Sequence, residues 1–339
     1  MADPRLFPIF VRQERSRSHF KVGYIDIKGE LVVEPIFDEG TRFWDGVASV
    51  KIGGRWGVIN ASGEFVIDPA LWGWCRFERG VSSICVKGRW GIVDQKGNLI
   101  LEPKYSFMAS FREGFAVCGT QEKGKLRYGF VDRNGTELVP PVLHDACSFS
   151  EGLAAAKVGD LWGYITPSGA FKIKPQFPGT CPGRSGPEAS QAGYFREGLA
   201  PVWTGAGYGF IDPGGELAIR DSFEEADSFS SGRALIKRGA RYGFIDRTGR
   251  VVIPPEFTYA RQFSEGLAAV REKEYRVGFV PPCGFVDIEG QMVLSPTFYS
   301  AEAFQNGLCL VTSQDSIGYI RIDGQYVWKG PYVQYGTLI

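Results

Sequence analysis

Apolar and polar residues alternate along this chain in short bursts, and each burst ends at a turn signal. Residues 263–270 read FSEGLAAV, residues 242–249 read YGFIDRTG and residues 251–255 read VVIPP. Apolar runs of this length predict strands. The Asp-x-x-Gly step predicts a tight turn, and proline ends the last strand because it cannot continue a hydrogen-bonded ladder. Each copy therefore predicts a three-stranded antiparallel meander, followed by a loop with one more aromatic residue.

The pattern occurs nine times when the chain is aligned on the glycine that precedes a hydrophobic pair and a glycine turn. The nine anchor glycines are Gly23, Gly57, Gly91, Gly129, Gly163, Gly209, Gly243, Gly284 and Gly318. Their spacings are 34, 34, 38, 34, 46, 34, 41 and 34 residues, so five of the eight intervals are equal. A fixed period of this size indicates tandem repeats. We therefore expect residues 1–339 to form a single repeat array.

The residue before most anchor glycines is aromatic, which predicts a packing role. Side chains alternate across a strand, so Trp56 and Val58 share one face while Gly57 lies on the other. We expect the ring to be buried between repeats. We expect the glycine to leave room for the backbone of the next repeat.

Trp-Gly pairs occur at 56–57, 90–91 and 162–163, and Tyr-Gly pairs at 128–129, 208–209 and 242–243. The motif F-x-E-G-L/F-A begins at Phe111, Phe149, Phe195 and Phe263. In these motifs, and over nearly its whole length, the chain resembles the bacterial WG-containing (KWG) repeat family. Copies one, eight and nine lack the aromatic residue and have Val22, Cys283 and Ile317 instead. The resemblance implies an all-β repeat protein and implies no specific activity.

Nine such repeats could form an open β-solenoid or superhelix, or alternatively a closed β-propeller-like ring. The ring is the less favoured architecture, because common propellers have roughly four to eight blades of four strands. The stretch LFPIFV supplies a first strand before Tyr24, and GQYVWKGP supplies a third strand after Gly318, so both end units are self-contained. The sequence therefore favours an open β-solenoid or superhelix. Insertions lengthen only the third, fifth and seventh intervals, which predicts that they share one side of the array.

Charge and cysteine content limit the partners, cofactors and cellular compartment that we expect for this protein. With 38 basic and 38 acidic side chains the net charge is zero, which disfavours nucleic acid and anionic membranes as partners. The apolar run after Pro4 is too short for a signal sequence or a membrane span. The seven cysteines contain no C-x-x-C pair, so neither a disulfide framework nor a zinc site is indicated. We expect a cytoplasmic protein without a cofactor.

Two polar columns run through the repeats. The first contains Asp26, Asp94, Asp132, Asp212, Asp246 and Asp287, with Asn60, Thr166 and Arg321 in the remaining copies. A ladder of calcium-binding or catalytic carboxylates is one interpretation, but a turn that accepts Asp, Asn or Thr is better explained by capping of the backbone. The second column contains Asp45, Glu113, Glu151, Glu197 and Glu265, and each precedes a turn glycine. We expect this column also to have a local explanation and no metal to be bound.

His144 and Cys147 are the only histidine and cysteine that lie close together in the sequence. A Cys-His nucleophile needs a third group to orient it, and none is indicated. No Gly-rich phosphate loop and no G-x-S-x-G motif occurs. We therefore expect the protein not to be an enzyme, with a catalyst built in one modified loop as a remote alternative.

Residues that break the repeat pattern are the candidate partner-binding residues. Four are the off-pattern tryptophans Trp44, Trp72, Trp74 and Trp203, and two are Arg184 and Glu188 in the insertion between Phe177 and Phe195. Exposed tryptophans would form a contact surface, whereas buried ones would fill gaps. We expect a binding or scaffold module for another protein. The alternative is a carbohydrate or cell-wall binder whose sugar rings stack on surface tryptophans.

Overall fold

The computed structural model describes residues 5–12, 20–71, 73–179, 193–272 and 281–331. None of these residues is helical, and the strands they form confirm the all-β prediction. The described residues fall into two compact units, one within Met1–His144 and one within Asp145–Tyr332. Each unit is a series of small sheets, and in each sheet the strands follow one another along the chain.

The described residues of the first unit form four antiparallel sheets, β1–β3, β4–β7, β8–β10 and β11–β14. Their strands are β1 (Phe7–Arg12), β2 (Phe20–Ile25), β3 (Leu31–Phe37), β4 (Glu39–Gly40), β5 (Val47–Ile52), β6 (Arg55–Asn60), β7 (Phe65–Leu71), β8 (Val81–Val86), β9 (Arg89–Asp94), β10 (Leu99–Tyr105), β11 (Phe107–Met108), β12 (Phe115–Glu122), β13 (Lys125–Asp132) and β14 (Glu137–Leu143).

The described residues of the second unit form five antiparallel sheets, β15–β18, β19–β21, β22–β25, β26–β29 and β30–β33. Their strands are β15 (Asp145–Ala146), β16 (Ala154–Val158), β17 (Leu161–Ile165), β18 (Phe171–Phe177), β19 (Ala200–Trp203), β20 (Tyr208–Ile211), β21 (Leu217–Phe223), β22 (Glu225–Ala226), β23 (Ala234–Arg238), β24 (Arg241–Ile245), β25 (Val251–Phe257), β26 (Tyr259–Ala260), β27 (Leu267–Arg271), β28 (Cys283–Asp287), β29 (Met292–Phe298), β30 (Ser300–Ala301), β31 (Cys309–Thr312), β32 (Ser316–Ile320) and β33 (Tyr326–Pro331).

A short additional strand distinguishes these sheets from the predicted three-stranded meander. Six of the nine described sheets begin with a two-residue strand that pairs with the first long strand. In the sheet β22–β25, Glu225 pairs with Lys237 and Ala226 with Ile236. The sequence predicts a loop for this segment, because two residues are too few to show a strand period.

The prediction of an open β-solenoid is wrong. Solenoid strands pair from one repeat to the next into continuous sheets. Here, every sheet of the described residues belongs to one repeat, and the full sheet is a four-stranded antiparallel meander, which is the blade of a β-propeller. One sheet forms around each of the nine anchor glycines. The end units are self-contained as expected, since β1 begins the first sheet and β33 ends the last.

The anchor glycine makes room for the last strand of its own sheet. Tyr242 pairs with Phe257 and Phe244 with Ile253, so three residues of β25 bulge opposite Gly243. A Cβ atom on Gly243 would lie 2.6 Å from the carbonyl oxygen of Ile253. It would lie 2.7 Å from the nitrogen of Pro255. The expectation that this glycine admits the next repeat is therefore wrong, because the crowding backbone belongs to the same repeat.

The apolar core lies between successive sheets within each unit. In the second unit, one cluster combines Trp162 and Tyr164 with Phe195 and Val202 of the following sheet. Burying a ring of this size contributes about 2–3 kcal/mol from its area. The structure thus confirms the predicted packing of the aromatic ring between repeats at Trp162, while Trp90 is only half-buried.

We expect Gly243→Ala to lower the free energy of unfolding by about 1–3 kcal/mol, because the added methyl group meets main-chain atoms that cannot rotate away. Gly73→Ala is the matched control, since a Cβ atom there meets no atom within 4 Å. Chemical denaturation of the two purified variants measures the difference. Equal losses of stability would contradict the role assigned to the glycine.

Candidate functional site

The six predicted partner-binding residues have different surroundings. Trp72, Arg184 and Glu188 lie outside the described residues. Trp203 is half-buried, and its ring lies 5.0 Å from that of Tyr208, measured between centroids. It also packs against the apolar cluster that contains Phe210. For Trp203 the structure favours the interpretation as a packing residue.

Trp44 and Arg76 form a stacked pair in the first unit. Trp44 is half-buried, at the turn between β4 and β5. The guanidinium carbon of Arg76 lies 3.7 Å from the centre of its ring, which is a cation–π contact. One face of the Trp44 indole is therefore already covered by a side chain of the protein.

Trp74 has the most exposed ring of the three described candidates, with 36% of its surface accessible. In four other sheets the equivalent position holds a buried side chain, namely Met108, Ala226, Ala260 and Ala301. An indole that replaces a small buried residue and remains open to solvent is available for contact.

The first polar column caps turns, as predicted. Oδ1 of Asp246 accepts hydrogen bonds from the N–H groups of Thr248 (3.0 Å) and Arg250 (3.1 Å). The same pair of bonds recurs at Asp26, Asp94, Asp132, Asp212, Asp287 and the amide oxygen of Asn60. A hydrogen bond from the Thr248 hydroxyl, supported by these N–H groups, holds the pKa of Asp246 below its ordinary value.

The second polar column links successive sheets. Asp45, Glu151, Glu197 and Glu265 have left-handed backbones, with φ from 51° to 54°. Their carboxylates accept N–H groups from the corresponding turn of the next sheet, at Gly80 (2.6 Å), at Glu197 and Gly198 (2.6 and 2.9 Å), at Gly232 (3.0 Å) and at Gly307 (2.9 Å). The expectation that this column has only a local role is therefore wrong for these carboxylates. The left-handed backbone belongs to the local turn, but the carboxylate accepts hydrogen bonds from the neighbouring repeat.

At two positions where this column has no carboxylate, an arginine forms the hydrogen bond between neighbouring sheets. Ser231 has no carboxylate, and two residues later Arg233 donates from Nε to the carbonyl of Ile288 in the next sheet, at 2.8 Å. Arg79 occupies the column in the sheet β8–β10, and Arg133 of the following sheet donates to its carbonyl at 3.4 Å. Neighbouring turns are thus hydrogen-bonded in both places without a carboxylate.

A lysine accompanies the aromatic–glycine pair in several sheets. Lys237 lies opposite Tyr242 on the hairpin, with Nζ 5.4 Å from the centre of the ring and 2.6 Å from a carboxylate oxygen of Glu225. Lys51 makes the same contacts with Trp56 and Glu39. The lysine therefore covers the aromatic ring and pairs with the short first strand, which gives it a structural role.

The structure disfavours the Cys-His nucleophile. Burial raises the pKa of the Cys147 thiol to about 12, so the thiol stays protonated at neutral pH. A nucleophilic cysteine needs the thiolate. Among the described residues, no three or more His, Cys, Asp or Glu side chains are grouped so as to hold a metal ion. The described part of the chain also has no helix with the length and apolar character needed to cross a membrane.

The first unit exposes apolar residues that the repeat pattern does not mark as binding residues. The strands β3, β7 and β10 are the last strands of three successive sheets, and each begins with two exposed apolar side chains. These are Leu31, Val32, Phe65, Val66, Leu99 and Ile100, each 38–49% exposed. A Cβ atom on the turn residue Gly63 would lie 3.2 Å from Val33, so the start of β7 adjoins β3. We call these six residues the apolar edge row.

The family model described as WG containing repeat matches residues 23–56, 56–89, 90–117, 128–162, 208–241, 242–275 and 284–315, which is more than half of the chain. No curated protein matches it. A crystal structure of the eukaryotic initiation factor is 12% identical with a TM-score of 0.43, covering 84% of this chain and 95% of that chain. Hsv2p of Kluyveromyces lactis is 9% identical with a TM-score of 0.32, covering 72% of each chain. Similarities this weak carry no argument about function.

We expect Glu151→Ala to lower the free energy of unfolding by about 1 kcal/mol more than Ser231→Ala. Glu151 loses two charge-assisted hydrogen bonds to the next sheet, discounted here for solvent exposure. Ser231 is the matched control because it occupies the same turn position with φ of 55°, so alanine meets the same backbone strain there. Urea denaturation measures both values, and equal losses would show that the carboxylate does not link the sheets.

We expect Thr248→Val to destabilise the protein at neutral pH and to have less effect at pH 3. The Asp246 pKa is lowered in the folded state, so its contribution is present above the unfolded value of about 3.9 and is lost as the pH falls through the folded value. Thr248→Ser keeps the hydroxyl and is the control. Denaturation curves at the two pH values provide the measurement, and a pH-independent loss would contradict the assignment.

Proposed function

Because the chain belongs to the WG-containing repeat family, we propose that it is a non-enzymatic binding module whose ligand is another protein. The apolar edge row is the observation that carries this proposal. Exposed apolar side chains on adjoining strand starts favour association, since covering them removes apolar surface from water. Sheets of one repeat arranged in series give such a module a binding surface that spans several repeats.

The geometry of the edge row suits a protein partner. Its six side chains are aliphatic or phenyl groups on three successive sheets, and none of them carries a hydrogen-bonding group. A carbohydrate needs polar groups that fix its hydroxyls in addition to a ring for stacking. A partner protein can cover the row with apolar side chains of its own.

Carbohydrate binding through tryptophans is the second candidate, supported by the exposed ring of Trp74. It is the weaker candidate because Arg76 already covers one face of Trp44. A sugar that stacks on Trp74 would protect this ring from quenching by iodide, whereas a partner on the edge row would leave it accessible.

A reducing compartment is part of the proposal. None of the six described cysteines forms a disulfide, and burial raises the thiol pKa of Cys75 and Cys118 to about 12. Such thiols are protonated and react slowly with oxidants. The cysteines therefore support a cytoplasmic protein that does not depend on disulfides.

We expect the triple variant Val32→Lys, Val66→Lys, Ile100→Lys to lose the proteins that the wild-type chain captures from its native host. Charged side chains on the row would have to be desolvated in a complex. Quantitative affinity capture followed by mass spectrometry measures the loss. A melting temperature within a few degrees of wild type shows that the variant is folded.

Val158→Lys with Leu161→Lys is the control, because these residues are similarly exposed and lie outside the edge row. The control variant should keep the captured proteins. Retention of the same proteins by the edge-row variant, at the same yield, would overturn the proposal.

A further inference from the structure

Three hairpin tips in the described part of the first unit carry an excess of positive charge. The tips between β5 and β6, β8 and β9, and β12 and β13 contain six basic residues and one acidic residue, Glu122. The basic residues are Arg55, Lys87, Arg89, Lys123, Lys125 and Arg127, and we call them the basic tip surface. Lys87, Arg89, Lys123 and Lys125 are exposed. The whole chain is neutral, so this surface is a local concentration of charge.

The three tips lie at the same end of their sheets. Asp45 accepts the N–H of Gly80, which joins the corresponding turns of the sheets β4–β7 and β8–β10. Arg133 donates to the carbonyl of Arg79, which joins β11–β14 to β8–β10 at the same end. In an antiparallel meander, the hairpin tips are opposite these turns. The sheets are therefore aligned, and the six cations face one side at the ~10 Å spacing of packed sheets.

The hairpin β12–β13 projects beyond its neighbours. Beyond Gly119 and Tyr128 it has three further residue pairs, whereas β5–β6 has one beyond Lys51 and Trp56. Two extra pairs extend the tip by about 7 Å. The extension accounts for the longer third interval of the repeat pattern, and it carries Lys123 and Lys125. Both lysines are exposed, so the lengthened hairpin holds their charges out in solvent.

Several other cations among the described residues are already paired with acids. In the first unit, Lys21, Lys51 and Lys104 make ion pairs with Asp38, Glu39 and Glu137 at 2.6–3.0 Å. In the second unit, the tip residues Lys237 and Arg238 pair with Glu225 and Asp221. Glu122 is the only acid within these three tips, and among the described residues Lys87, Lys123 and Lys125 make no ion pair, so the charge of these three lysines is available to an external anion.

We propose that the basic tip surface docks an extended acidic segment of a partner protein, with apolar residues interspersed among its carboxylates. Each tip places a half-buried apolar side chain next to its cations, namely Ile52, Val86 and Leu126. A polypeptide can use both features, whereas a phosphate backbone uses only the charges. This inference rests on the proposed function as a protein-binding module, but it concerns a different surface from the apolar edge row.

The test uses a fluorescent peptide of glutamates with interspersed leucines, and fluorescence anisotropy at low and physiological salt. We expect the full chain to bind this peptide, to bind it less well at higher salt, and to discriminate against the same peptide with glutamine in place of glutamate. The variant Lys87→Asn, Lys123→Asn, Lys125→Ser should bind at least tenfold less tightly. Asparagine suits the first two positions because both have positive φ.

The control variant Lys28→Ser, Lys96→Ser, Lys172→Ser removes the same charge from exposed lysines outside the tips, and it should bind within about twofold of wild type. Equal weakening by both variants, or equal binding of the glutamine peptide, would overturn the proposal. So would binding of oligo-dT or of phosphatidylserine vesicles in preference to the acidic peptide. The edge-row variant should still bind the peptide, so failure of the tip proposal is distinguishable from failure of the proposed function.

Discussion

The close approach of the last strand of each sheet to the anchor glycine governs the rest of the structure. Because no side chain stands at Gly243, three residues of β25 can bulge over it. A bulge increases the local twist and accommodates proline, which has no N–H group to lose. Pro255 lies in this bulge, on a strand at the edge of its sheet. Proline on an edge opposes pairing with another sheet, so the repeats remain separate blades that pack through their faces.

Much of this fold is predictable from local chemistry. The Asp-x-x-Gly turns, the number of repeats and the burial of Trp162 follow from turn geometry and strand alternation, and the structure bears them out. The blade architecture does not follow, because it depends on a strand of two residues such as Glu225–Ala226. The link from Glu151 to Glu197 is also hidden, since its partners are 46 residues apart and no local pattern encodes a contact between repeats.

The candidate binding surfaces were only partly foreseeable, for a related physical reason. Exposure depends on what the neighbouring sheet covers. Trp203 and Trp74 both break the repeat pattern, but one packs on Tyr208 and the other is open to solvent. The apolar edge row was overlooked because an apolar run at the start of a strand is expected to be buried, and only its third residue, such as Val33, points inwards. The repeat body thus provides a common core, and differences between repeats appear at strand starts and hairpin tips.

The carboxylate that joins one sheet to the next bears on how the number of repeats can change during evolution. Glu197 both donates its own N–H to Glu151 and accepts the N–H of Gly232, so a single turn contains the two halves of the connection. A gene segment that encodes one repeat therefore encodes both the N–H donor for the preceding repeat and the carboxylate acceptor for the following one. Tandem duplication or loss of that segment leaves the flanking connections intact, and repeat number can change in evolution without redesign of the junctions.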